Sequence, residues 1–212
     1  MSDRRPPPAQ RREPGTDPAT PRAASSLLLL RGGRDALEVL LVRRNPEARF
    51  MGGVWVFPGG AVDPADGAGE DDAHRAAAVR ELAEEAGIEG LEPDALTAYS
   101  RWITPEEVAV RFDTRFYLAS APKDAEPRVD GVECVDAGWF APREALGAYD
   151  RRELRLVFPT VKHLEQIAPF RSADELLDAA RGRAVEPVLP RVIGSGEHAR
   201  IVLPGEPDYE SR

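Results

Sequence analysis

Residues 59–88 read GGAVDPADGAGEDDAHRAAAVRELAEEAGI: a glycine pair, an acidic loop, then a run in which small apolar residues alternate with glutamates. The run from Asp72 to Ala86 is expected to be a helix, with acidic residues at its start and Gly87 as its stop signal. At 3.6 residues per turn, Ala76, Val79, Leu82, Ala83 and Ala86 share one face, and Arg80, Glu81, Glu84 and Glu85 the opposite one. Glu81 and Glu85 are four residues apart, so their carboxylates project side by side, and Glu84 flanks them. Clustered anions repel unless a positive charge sits among them, and a hard divalent cation with oxygen ligands meets that demand. A Glu-rich helix face alone is more often simply solvated. Here a strand, the Phe57-Pro58-Gly59-Gly60 turn and an acidic loop precede it, and glycines let backbone approach a ligand closely.

Outward from this stretch, Ser25–Leu30 and Leu37–Val42 read as strands joined by a turn, and Val54–Phe57 as a short strand stopped by Pro58-Gly59-Gly60. Ala61–Asp71 is expected to be loop. Further strands are expected around Leu96–Trp102, Arg111–Ala119 and Glu133–Phe140. Helices are expected over Pro142–Ala148 and Phe158–Ile167, with a third started by a Ser172/Glu175 capping box. Two short strands, Val188–Ile193 and Arg200–Leu203, close the chain. Residues 1–23 are crowded with Pro and Arg and offer almost no large apolar side chain, which predicts a disordered tail ahead of a domain spanning 24–212 with a C-terminal helical and loop extension.

The 212 residues suffice for a sizeable core, and the formal charge of −9 argues against general nucleic-acid binding. Leu27–Leu30, the longest apolar run, is too short to span a bilayer, so no membrane association is expected and the chain reads as cytoplasmic. The single cysteine, Cys134, excludes an intrachain disulfide or a thiolate metal cluster. Its acidic and apolar flanks favour a buried strand residue over a nucleophile. His74, His163 and His198 lack metal-ligand spacing.

Arg80-Glu81-Leu82-Ala83-Glu84-Glu85-Ala86-Gly87-Ile88 resembles the second half of the Nudix hydrolase box at every defined position. The first half departs from it. Asp72 stands where the box has its first glutamate, and Gly60 lies six residues further upstream than the box glycine, so the loop carries an insertion. Glu70, Asp71 and Asp72 are all candidates for the missing acid, which in the family braces the box arginine; Asp72 and Arg80 are therefore the expected structural supports. The resemblance implies an α/β fold, the Nudix α/β/α sandwich with a mixed central sheet. It implies Mg2+ or Mn2+ held by Glu81, Glu84 and Glu85 with the Gly59 carbonyl, and cleavage of a diphosphate linkage by metal-assisted hydrolysis. Glu84 and Glu133 are the candidate catalytic acids. Glu133 belongs to a segment resembling an acidic strand end of many Nudix proteins, although Glu133 and Asp136 are equally well read as exposed strand-edge residues.

Arg43, Arg49, Gly53 and Phe57-Pro58-Gly59-Gly60 are spaced similarly to the signature of Nudix coenzyme A diphosphatases, with Leu41 and Arg44-Asn45 departing from it. Arg43, Arg49 and Gly60 are the implied substrate-binding residues, since guanidinium groups pair with phosphate oxygens bidentately. Phe50-Met51-Gly52-Gly53, Trp102-Ile103-Thr104-Pro105, residues 111–117 and 158–160, and Leu203-Pro204-Gly205 look like the acyl-coenzyme A diphosphatase branch. Trp102, Phe112 and Phe116 are cleft candidates, though strand aromatics are more often core. The expected substrate is coenzyme A or acyl-coenzyme A. The alternatives are an ADP-ribose or dinucleotide pyrophosphatase and a catalytically silent nucleotide-sensing domain. A homodimer is compatible with the resemblance.

Overall fold

Strand β1 (Arg22–Arg31) is buried from Ala24 through Leu30 because both faces of the sheet it joins are covered. Leu28 and Leu30 face one core, with Trp55, Phe116, Leu156, Leu164 and Leu176. Leu27 and Leu29 face the other, with Leu40, Ala78, Leu82, Tyr117 and Cys134. This computed structural model describes residues 11–13, 15–48, 51–194 and 199–210. Arg49, Phe50 and His198, singled out above, lie outside the described residues, as do 1–10 of the tail.

The sheet is mixed. β1 runs antiparallel to β2 (Glu38–Arg44) and to β4 (Gly59–Ala61), and parallel to β6 (Phe112–Ser120). β2 continues to β3 (Trp55–Val56) and β7 (Cys134–Phe140), and β6 to β5 (Thr97–Ile103). α1 (Glu70–Ala86) covers the Leu27/Leu29 face. α2 (Pro142–Asp150), α3 (Phe158–Ile167) and α4 (Ala173–Ala180) supply the core on the opposite face, which makes the α/β/α sandwich.

Several expectations shift. Gly59 and Gly60 do not merely stop a strand: with Ala61 they form β4, paired with Ser26, Ser25 and Ala24. The loop after it folds into a 3-10 turn, Pro64–Asp66, closed by a reciprocal capping box between Asp63 and Asp66. α1 begins at Glu70, two residues earlier than expected, with Glu70, Asp71 and Asp72 in its first turn. Its buried face comprises Ala73, His74, Ala77, Ala78, Leu82, Glu85 and Ala86, so Glu85 lies inside and not on the solvent face. The reason is the surface beneath it, since α1 packs against glycine backbone in β4 that leaves room for a carboxylate. At the helix end Gly87 adopts φ 62°, and a Cβ there would stand 2.7 Å from the Arg128 carbonyl oxygen, so only glycine serves. Ser172 caps α4 as expected, but the Glu175 carboxylate accepts from Arg171 N–H at 2.9 Å instead of returning to Ser172.

Part of the segment expected as a disordered tail is docked. Arg12 N–H donates to the Glu107 carbonyl, its Nε to that of Glu106, and Arg111 reaches the Ala19 carbonyl. The physical reason is backbone satisfaction: the Pro-rich chain runs beside the 104–111 loop and exchanges hydrogen bonds with it. At the other end β8 (Pro187–Val188) adds parallel to β5, and β9 (Arg191–Ile193) pairs with β10 (Arg200–Val202). The C-terminal stretch thus covers the β5 edge of the sheet. Among the described residues no helix is long and apolar enough to cross a membrane.

Candidate functional site

β4 and α1 lie side by side, and glycine sets their separation. A Cβ on Gly60 would stand 2.3 Å from Glu81 Oε1, so the missing side chain is the space the Glu81 carboxylate uses. The neighbouring Gly59 N–H donates to Glu85 Oε2 at 2.9 Å. Two of the three glutamates are therefore seated on this backbone, and the third, Glu84, is exposed.

Arg80 organises the outer side. Its Nη1 donates to Glu81 at 2.9 Å and Glu84 at 2.8 Å, and its Nη2 to the Ala61 carbonyl at 3.1 Å. Nε and Nη2 together clasp Asp66 through both carboxylate oxygens, at 2.9 and 3.1 Å. The Asp66 side chain is only 4% exposed. These hydrogen bonds from Arg80 hold its pKa below the usual carboxylate range.

This corrects the sequence reading. The Asp72 side chain makes no hydrogen bond or ion pair among the described residues, and the carboxylates of Glu70 and Asp71 are engaged by Arg115 and Arg75. The acid that braces the box arginine is Asp66, on the 3-10 turn inside the inserted loop. Counting along a regular box register cannot find it, because the loop doubles back in space. The capping-box residues Asp63 and Asp66 around Pro64 were the available local signal.

On the inner side Glu85 is 1% exposed, and its Oε1 has no hydrogen-bond partner among the described residues. Burial pushes its pKa from the usual 4.5 to about 7, against the opposing pull of the Gly59 N–H. Glu81 is also raised, by burial first, against Arg80. Arg44 stands 3.7 Å from Glu85 Oε1 and 3.5 Å from Glu133 Oε1. Arg44, read from sequence only as a departure from a signature, is thus the arginine brought to the carboxylates. By strand alternation Arg43 points the other way along β2. Glu133 is placed beside the cluster by a loop that Asp130 holds, its Oδ1 accepting from Val132, Glu133 and Cys134 N–H at 2.9, 3.1 and 3.4 Å. Asn45 clamps the same loop from β2, donating to the carbonyls of Val132 and Glu133.

The remaining candidates are structural. Cys134 is fully buried in β7, and burial pushes its thiol pKa up. Trp102 and Phe116 pack around His163 in the core and do not line the carboxylate site. His163 is fully buried, with Nδ1 2.7 Å from the Pro159 carbonyl and Nε2 2.6 Å from Ser100 Oγ; burial lowers its pKa to about 4 and keeps it neutral. Two concavities, near Arg34 and Arg171 and near Lys123 and Asp124, lie at the Arg31 end of β1, opposite the end where Gly59 pairs. They carry no convergent chemistry.

Among the described residues no three acidic, His or Cys side chains converge tightly enough to hold an ion as they stand. Arg80 spans Glu81 and Glu84, and Arg44 faces Glu85. An all-oxygen donor set with one buried, unsatisfied carboxylate oxygen nevertheless fits a hard divalent cation.

A strand–turn–helix unit presenting glutamates against a glycine pair, inside an α/β/α sandwich, defines a carboxylate-based hydrolase class. The NUDIX domain family matches residues 20–160, so the chain belongs to the Nudix family. It is a Nudix hydrolase, of a class that acts on nucleoside-diphosphate-linked substrates and generally uses divalent metal ions. It is similar to a Caenorhabditis elegans nudix hydrolase, 28% identical over 81% of this chain and 68% of the relative. It is also similar to acyl-coenzyme A diphosphatase NUDT19 of Homo sapiens, 24% identical over 82% of this chain and 73% of the relative. A crystal structure of a NUDIX hydrolase from Alicyclobacillus acidocaldarius superposes with a TM-score of 0.68 and 29% identity, covering 75% of this chain and 96% of the other.

The buried carboxylate makes a prediction for the metal-free protein. Between pH 4.5 and about 7 the folded state binds more protons at Glu85 than the unfolded chain, so the stability contributed by Glu85 falls as pH rises through that window. The loss amounts to about 3 kcal/mol at most, with Glu81 adding in the same sense. Asp66, Asp71 and Asp113, all lowered, act at more acid pH, whereas buried His163, lowered to about 4, and His74, also lowered, gain stability as pH rises toward 6.5 and oppose it. The Glu85 contribution is read as the difference between wild type and Glu85→Gln: in EDTA, wild type should lose melting temperature relative to Glu85→Gln on going from pH 5 to pH 7.5. A difference that does not change with pH contradicts the burial argument.

Proposed function

We propose that the protein hydrolyses the diphosphate bond of coenzyme A or an acyl-coenzyme A, with Mg2+ or Mn2+ held by Glu81, Glu84 and Glu85 and the Gly59 carbonyl. The observation that carries the metal reading is Glu85, buried with one oxygen unsatisfied beside the Gly59 backbone and the Glu81 carboxylate. A divalent cation bound there supplies charge neutralisation at the diphosphate and lowers the pKa of a water. The side chain of Glu133 is 56% exposed, at the lip of the cluster, and is the preferred acceptor of the water proton because it can pass that proton to solvent. Glu84, also exposed, is the second candidate. Arg49 is the phosphate partner suggested by the signature spacing, Arg43 on β2 being turned away from the carboxylates, and Gly60 keeps the entrance free of a side chain. The coenzyme A assignment rests on that spacing and on the likeness to the human enzyme named acyl-coenzyme A diphosphatase.

The test is a panel of coenzyme A, ADP-ribose and NADH incubated with Mg2+ or Mn2+ and the full chain. Fastest release of adenosine 3′,5′-bisphosphate from coenzyme A supports the proposal. Preferential cleavage of ADP-ribose keeps the chemistry and replaces the substrate. Thermal stabilisation without cleavage supports a sensing domain instead. In the same assay Arg49→Ala should raise KM for coenzyme A more than for its analogue lacking the 3′-phosphate, and equal effects would remove Arg49 from that role.

A further inference from the structure

Arg44 is fixed at the end of β2 by both backbone groups: its N–H donates to the Val54 carbonyl at 3.0 Å, and its carbonyl accepts from Gly53 N–H at 3.1 Å. Between Arg43 and Arg44 the register with β7 slips, since Arg43 opposes Asp136 while Arg44 opposes Cys134. The extra residue, Val135, lies on β7, at the strand end next to Glu133. Arg44 shares the α1-facing side of β2 with Leu40 and Val42, and its guanidinium reaches Glu85 on α1 and Glu133 on the Asp130 loop.

The resulting contacts are incomplete in a specific way. Arg44 lies 3.7 Å from Glu85 Oε1 and 3.5 Å from Glu133 Oε1, beyond hydrogen-bond length in both cases. Among the described residues, Arg44 Nε and Glu85 Oε1 are each buried and without a hydrogen-bond partner. A salt bridge kept only for stability would close these gaps, because a buried polar atom left unsatisfied costs roughly 1–3 kcal/mol. The arrangement suits a charge that must be present when the site is empty of cation and must yield when one arrives.

We propose that Arg44 is a positioning residue that serves as resident counter-charge of the carboxylate cluster. It holds Glu85 and Glu133 in place without metal and competes with the divalent cation for them. The inference rests on the proposed metal role of Glu81, Glu84 and Glu85. Its consequence is a site that binds free metal weakly but stays folded without it.

Calorimetric titration of the full chain with MnCl2 alone, paired with thermal melting in EDTA and in Mn2+, tests this in wild type, Arg44→Gln and Arg44→Lys. Removing the positive charge should tighten Mn2+ binding roughly tenfold, because the ion no longer meets a like charge at the cluster. The same variant should melt lower than wild type in EDTA and recover in Mn2+. Arg44→Lys, which keeps the charge, should bind Mn2+ with wild-type affinity. Equal Mn2+ affinity in wild type and Arg44→Gln overturns the proposal, as does tightening by Arg44→Lys to the same degree. If Arg44→Gln folds only with Mn2+ present, the expected dependence has reached its limit; if it folds in neither state, Arg44 is a packing element and the proposal falls. Absence of Mn2+ uptake by every form, wild type included, would remove the metal reading itself, which distinguishes the two failures.

Discussion

Glu85→Gln is expected to lower diphosphatase turnover on the order of a thousandfold, since loss of a metal-ligating charge removes several kcal/mol of transition-state stabilisation. The substitution is isosteric, and its amide oxygen can still accept from Gly59 N–H, so the seat on β4 survives. It also removes a charge that burial disfavours, and the variant should melt no lower than wild type in EDTA at pH 7.5. Glu84→Gln should lose most turnover as well, with even less effect on folding, because its carboxylate is exposed and, among the described residues, paired only with Arg80. Steady-state rates in saturating Mn2+ alongside melting curves check both. Near-normal rates in the two variants would remove these glutamates from the metal site.

The ease with which a glutamine can be written at position 85 contrasts with how poorly its burial could be read beforehand. A helical wheel places residues by their own polarity, and Leu82 and the alanines set an apolar face that leaves the glutamates outside. What turns Glu85 inward is the partner surface, a strand of glycines with no Cβ to exclude a carboxylate. The Leu27–Leu30 run, the α1 stop at Gly87 and the strand ending at Phe140 were legible, because each rests on local chemistry or strong periodicity. Arg44 was not, since its neighbours Glu85 and Glu133 come from α1 and the Asp130 loop, and no local pattern signals that they meet at the end of β2. The pairing of β8 with β5 was equally hidden, because it joins residues more than eighty positions apart.

The same limit applies to Asp66, and there it has the larger functional consequence. Its carboxylate takes both Nε and Nη2 of Arg80, leaving Nη1 to divide itself between Glu81 and Glu84. Without Asp66 the guanidinium is free to swing fully onto those two glutamates and compete for the oxygens a cation would need. Asp66→Ala should therefore reduce turnover and Mn2+ affinity about 10–100-fold, the range seen when a partner that orients metal ligands is lost. It should also cost about 2 kcal/mol of stability, below the full penalty for breaking a buried pair because Arg80 remains partly exposed. Asp72→Ala and Glu70→Ala provide the contrast, since neither carboxylate touches Arg80, and both should keep turnover within about twofold of wild type, as surface substitutions usually do. Were Asp72→Ala as damaging as Asp66→Ala, the brace would belong to the regular box register after all, and the inserted loop would lose its assigned part in holding the site.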